Sequence, residues 1–269
     1  MTDLPTQARP KRHFGVLGWV VLALIGLGAV GALFMSTPGL RWVGSTDVAG
    51  NMSKEEFGRR VRDYLLEHPE VLADAANALE ARQGAAQASA AQAVVRERAE
   101  EIFRDPDSPV GGNAGGDATL VEFFDYNCPY CRQVAPTMTE AVAADPQLRI
   151  VYKEFPILGP NSVYAAKAAL ASRKQDKYHI FHDALMKARS TTDEARVIEI
   201  AGSVGLDVEQ LKRDMQDPGI ESIIKKNFAL AQALQINGTP GFVIGERVFT
   251  GATDLKSMQT FVQQAREAR

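Results

Sequence analysis

Cysteine is almost absent from this chain. Of 269 residues only Cys128 and Cys131 are cysteines, and they stand three positions apart in "FFDYNCPYCR", residues 123–132. That scarcity excludes a fold stapled by several disulfides. A single bridge across two intervening residues closes almost no loop, so it constrains the unfolded chain little and stabilises little. Reactivity is then the leading reason to hold two thiols so close. An excess of positive charge is also missing. The net charge is −3 and there is no basic stripe, which argues against nucleic acid as a partner. The chain has no internal repeats, and residues 161–236 hold no segment with the composition of a good strand.

What is present begins with a long apolar run. Residues 14–35 carry no charge. As a helix at about 1.5 Å per residue they span roughly 33 Å, enough for a bilayer core. Lys11, Arg12 and His13 precede the run and favour an N-terminus kept inside. A cleaved signal peptide is the alternative, but its apolar core is normally about 7–15 residues, followed by a small-residue cleavage site, and "STPGL" offers no clean one. Both readings place the rest of the chain outside the inner membrane. The expectation is a periplasmic domain anchored by an N-terminal helix or, after cleavage, a soluble periplasmic protein.

A linker-like stretch comes next, and then helix signals. Ser53 can cap a helix and Glu56 can complete a capping box. Pro69 suits the start of a new helix or a kink. From Glu70 to about Phe103 the chain is rich in Ala, Gln, Glu and Arg, with a thin apolar stripe. Such a tract has too few large residues to make its own core. It is either a solvated spacer or an arm that pairs with copies of itself, with Leu65, Leu66, Val71, Leu72 and Leu79 in the interface. "DPDSPVGGNAGGD" then breaks all helix and marks a boundary near Asp105. Beyond it the order is strand ("ATLVEFFDY"), helix, strand ("LRIVYKEFP"), several helices, a hairpin ("GFVIGERVFTG", turning at Gly245–Glu246) and a last helix capped by Thr253. That order is α/β.

The pair falls where a strand ends and a helix begins. Amide N–H groups and the helix dipole favour an anion there. Cysteines in such places have pKa values of roughly 3.5–7.5 instead of about 8.5. Cys128 is therefore expected to be the exposed nucleophile and Cys131, one turn on, the resolving thiol. Pro129 suits a helix start, and Tyr130 places an aromatic face beside the sulfur. Zinc or copper binding is a rival use of the pair, with His179 and His182 as further ligands, although their spacing misses the usual finger pattern.

From about Pro109 to the C-terminus the sequence resembles the DsbA-like thioredoxin-fold oxidoreductases of bacterial envelopes. "VEFFDYNCPYC" is similar to that family's strand and redox turn, and "GTPGFVIG" to its cis-proline loop and following strand. The helices between "YKEFP" and "GTP" resemble its helical insertion. "YLLEHPEVLADAANALE" is similar to the N-terminal oligomerisation region of the ScsC-like subgroup. The resemblance implies a thioredoxin fold with a helical insertion at about 161–236. The organisation is then an anchor at 1–36, a linker and oligomerisation arm at 37–105, and the catalytic domain at 106–269.

The resemblance also implies roles. Thr239–Pro240 would face the sulfurs with a cis bond and receive the substrate chain along an open edge. Glu122 would be the buried acid that relays protons, with Lys153 on the neighbouring strand as its possible partner. No cofactor is implied beyond the redox-active Cys128–Cys131 pair, and no metal. The implied partners are exported cysteine-containing proteins and a membrane redox protein, either a DsbD- or ScsB-like reductase or a DsbB-like oxidase. Tyr130 stands where DsbA itself has a histidine that stabilises the thiolate. That departure leaves isomerase or reductase and net oxidase both open, with the oligomerising arm favouring the isomerase.

Overall fold

A computed structural model describes residues 52–268. The apolar run at 14–35 lies outside them. Among the described residues no helix is long and apolar enough to cross a membrane.

Packing divides the chain between Pro69 and Glu70. Among the described residues the first unit holds α1 (Lys54–Glu67), which buries no residue. Ser53 caps it as expected, accepting from the Glu56 amide at 3.2 Å. The Glu56 carboxylate does not return the bond; it accepts from Arg60, one turn further on, at 2.8 Å. Leu66 is 69% exposed and Leu65 is half-buried.

The second unit opens with α2 (Glu70–Glu97), which buries only Ala91 and Val95, both near its end. Val71 is half-buried, whereas Leu72 and Leu79 are 58% and 56% exposed. A short α3 (Ala99–Phe103) follows and buries Ile102. Then come β1 (Val110–Gly112), β2 (Ala118–Phe124), α4 (Pro129–Ala144) and β3 (Leu148–Glu154). Five helices form the insertion: α5 (Pro160–Ala171), α6 (Tyr178–Met186), α7 (Glu194–Ser203), α8 (Val208–Asp214) and α9 (Pro218–Ala233). The hairpin β4 (Gly241–Ile244) and β5 (Arg247–Thr250) and a last helix α10 (Leu255–Glu267) complete the chain. The cap of α10 is Asp254, not Thr253. Its carboxylate accepts from the Ser257 amide at 2.7 Å, and an Asp holds that bond more strongly than a hydroxyl.

The sheet order is β1-β3-β2-β4-β5, with β2 parallel to β3 and the other pairs antiparallel. β2 lies at the centre and is covered on both faces, which is why it reads as an unbroken apolar run interrupted only by Glu122. Leu120 packs with Val134 and Met138 of α4, and Phe124 with both cysteines. Alternation places Glu122, between them, on that same face. Val121 and Phe123 face the other way, against Val95, Ile102 and Leu230.

Two features were not legible in the sequence. β1 hides among glycines that read as a pure break. Gly112 has φ +64°, and a Cβ there would collide with the Leu148 carbonyl, so the residue that makes the turn also disguises the strand. The second feature is the fate of residues 91–105, expected to belong with the arm. Val95 and Ile102 share a core with Val121 and Phe123, so this stretch falls in the same unit as the sheet.

Lys153 fixes that attachment. It pairs across from Phe123, not Glu122, so its side chain lies on the opposite face from the acid and cannot reach it. Only 1% exposed, its ammonium donates to the Asp105 carboxylate and to the Glu101 carbonyl, each at 2.8 Å. Removing one partner of a buried ion pair strands the other charge, at a cost of about 3 kcal/mol. Asp105→Ala should therefore lower stability in urea unfolding by about that amount, and adding Lys153→Met should recover most of the loss. A loss below about 1 kcal/mol would show that the stretch ending at Asp105 is only laid on the surface.

Candidate functional site

Cys128 is the N-cap of α4, and Pro129 takes the first helical position, where its missing N–H leaves no bond unmade. Both cysteines are reduced and buried. The Thr239–Pro240 bond is cis, and the Thr239 carbonyl lies 3.1 Å from the Cys128 sulfur. The Thr239–Pro240 loop thus lies against the Cys128 sulfur. Pro129 and Tyr130 stand outward, with Tyr130 59% exposed beside the turn.

The two thiols are driven apart electrostatically. The Cys131 thiol donates to the Cys128 sulfur, and this is the largest cause that lowers Cys128 to about 5. Thr239 and the amides of Cys131 and Tyr130 add to it, while burial opposes. Cys131 is held far above the ordinary thiol range, first by burial, then by its bond to Cys128 and by the charge of Glu122. One sulfur is an anion at neutral pH and its neighbour keeps its proton.

Glu122 is 2% exposed, and one of its carboxyl oxygens has no hydrogen-bond partner. Burial, and then the negative charge of Cys128, raise it to about 8. It lines a cavity of about 840 Å³ together with Arg132, Met138, Tyr152, His182 and Met186.

Sequence reasoning assigned no role to Asp125, Asn127 or Glu154. The buried Asp125 carboxylate accepts from the Asn127 amide at 2.8 Å and from the Leu158 amide at 2.9 Å, so it shapes the turn before Cys128 and ties it to the loop after β3. An Asp two residues before an Asn is a turn signal that could have been read. Glu154 accepts from Tyr178 at 2.8 Å and Tyr126 at 3.1 Å, and burial holds it well above the carboxylate range. Tyr126 also meets Nδ1 of the buried His182 at 3.0 Å. His179 is exposed and His182 buried, and both line the cavity beside Glu122. Among the described residues no three His, Cys, Asp or Glu side chains gather as a metal cluster.

A depressed thiol, a protonated neighbour and a cis proline against the sulfur together define a dithiol exchange site. Residues 119–263 match the DSBA-like thioredoxin domain family, so the chain belongs to the DsbA-like thioredoxin-fold oxidoreductases. Residues 54–86 match the Copper resistance protein ScsC N-terminal domain. A thioredoxin-like oxidoreductase from Silicibacter pomeroyi is similar at 49% identity and TM-score 0.63, over 63% of this chain and 98% of that one. The thiol-disulfide exchange protein alpha-DsbA2 of Wolbachia pipientis is similar at 27% identity and TM-score 0.62, over 66% of this chain and 97% of that one. A curated relative, Na(+)/H(+) antiporter NhaA 3 of Salinispora tropica, is 25% identical over 258 residues, 93% of this chain, which spans only 38% of that protein's length.

Glu122 gives the site a pH signature. Its folded value, raised to about 8, exceeds the unfolded one. The stability it contributes is therefore full below the ordinary carboxylate range and is lost as pH rises through about 8. In the reduced protein Glu122→Gln should remove that loss. The stability difference, variant minus wild type, should climb steadily from pH 4 to pH 9 in urea titrations. A flat difference would mean that Glu122 is ionised throughout.

Proposed function

We propose that this protein exchanges disulfides with exported proteins in the bacterial envelope, acting chiefly as an isomerase or reductase. The observation that carries the exchange chemistry is the opposite displacement of the two thiols within one turn. The Cys128 thiolate attacks one sulfur of a substrate disulfide. A mixed disulfide forms and the substrate's other sulfur leaves as a thiolate. Cys131 then loses its proton, attacks the Cys128 sulfur and releases the substrate's second thiolate, leaving the pair oxidised and the substrate reduced.

Glu122 is the base for that second step. While Cys128 is an anion its charge helps to keep Glu122 protonated. Once Cys128 enters the mixed disulfide that charge is gone, and the carboxyl ionises more readily when Cys131 must give up a proton. The cavity beside Glu122 offers the proton a way out. The pair itself is the only redox group the reaction needs. A membrane redox partner of reductase type would return it to the dithiol.

The isomerase preference rests on the N-terminal helices. Leu66, Leu72 and Leu79 stand exposed, with Leu65 and Val71 half-buried nearby in sequence, and copies of the chain are the partner that would cover them. Several Cys128 sites around one substrate favour shuffling of wrong disulfides. Net oxidation is the second reading, and the low Cys128 value favours it, because a stabilised thiolate makes the disulfide form a stronger oxidant.

Two forms of the protein separate these readings. One starting at Ser53 should be a dimer or trimer by light scattering, reduce insulin and restore scrambled ribonuclease. One starting at Ser89, which removes Leu65, Leu66, Val71, Leu72 and Leu79 and keeps Ala91 and Val95, should keep insulin reduction and lose most of the isomerase activity. A monomeric longer form at tens of micromolar, with rapid oxidation of reduced ribonuclease, would favour the oxidase.

A further inference from the structure

The residue before the nucleophile is engaged from three directions. Asn127 Oδ1 accepts from Arg132 Nη2 at 3.2 Å, from the Thr192 amide at 2.8 Å and from the Thr192 hydroxyl at 2.8 Å. Its Nδ2 donates to the Ser162 hydroxyl at 3.3 Å. Ser162 lies on α5 and Thr192 in the segment between α6 and α7, and both are buried. One side chain thus joins the redox turn to two parts of the helical insertion and to the redox helix.

Arg132 completes the arrangement. Its Nε donates to the Tyr126 carbonyl at 2.7 Å, so the guanidinium is anchored at both 126 and 127, directly before Cys128. Arg132 and the Cys128 thiolate attract each other, as do Arg132 and Asp125, although burial lowers Arg132 overall. Tyr130 brings no imidazole to this turn, and the guanidinium stands where positive charge is wanted. Its planar, forked donors suit two fixed acceptors in a way that an ammonium cannot.

We propose that Asn127 is a positioning residue for the nucleophile: it holds the Arg132 guanidinium beside Cys128 and fastens that placement to the helical insertion. This rests on the reading of Cys128 as the attacking thiolate. The groups that face Cys128 are Cys131 on α4, Glu122 from β2, and Thr239 from the loop before β4, with Asp125 on the turn itself. None of these groups carries positive charge, whereas Arg132 does, so its release should destabilise the thiolate.

The test is thiolate absorbance at 240 nm against pH in the reduced protein. Arg132→Met should raise the Cys128 midpoint by roughly half a unit to one unit. Asn127→Leu should raise it by a similar amount, and the double variant should shift no further than either alone, because both changes remove one interaction. Arg132→Lys keeps the charge but not the fork and should lie between wild type and Arg132→Met, which keeps the test alive if the methionine variant does not fold. An unmoved midpoint in Arg132→Met, or shifts that add in the double variant, overturns the proposal. If wild-type Cys128 shows no step below the ordinary thiol range and the protein fails to reduce insulin, it is the reading of Cys128 that falls instead.

Discussion

A sulfur anion held almost wholly out of water is the constraint on which the rest of this structure depends. Burial by itself would keep Cys128 protonated. The thiolate exists because donors converge on it: the Cys131 thiol, the Thr239 side chain, and the amides of Tyr130 and Cys131 at the start of α4. Each donor needs a particular backbone path. Pro129 starts the helix, Asp125 shapes the turn before it, and the Thr239–Pro240 loop closes from β4. Burial is the first cause that keeps the proton on Cys131, and the bond that stabilises the Cys128 sulfur adds to it.

The strand beneath the turn shows how alternation distributes roles. β2 sends Leu120, Glu122 and Phe124 toward α4 and the cysteines, and Val121 and Phe123 toward the helices on the other side. Glu122 is left without a full set of partners because its neighbours on that face are apolar, and it responds by holding a proton. Lys153, one residue out of phase on β3, serves the opposite face and binds the segment that leads in from α3. A shift of one residue in register would exchange these assignments.

Much of this was legible in the residues themselves. The two-cysteine spacing, the strand before it, the hairpin at Gly245 and the helical stretch after β3 all carry local signals, whereas the cis bond at Pro240 is implied only by the family resemblance. The buried place of Glu122 follows from the resemblance to the DsbA-like family, not from spacing. What the sequence hid were long-range matters. A lysine's partner depends on sheet register, so Lys153 could be offered to Glu122 when it belongs to Asp105. The burial of Val95 and Ile102 depends on a surface built by β2 and β3. Asn127 looks like an ordinary turn residue until Thr192, 65 positions later, is brought against it.

The division of roles between the two sulfurs is tested most directly by titrating both cysteines in the reduced protein. Each is observed separately through its ¹³Cβ chemical shift from pH 3 to pH 10. Cys128 should show a step near 5 and Cys131 none over the whole range. Two steps together near the ordinary thiol value, or a first step at Cys131, would contradict that division.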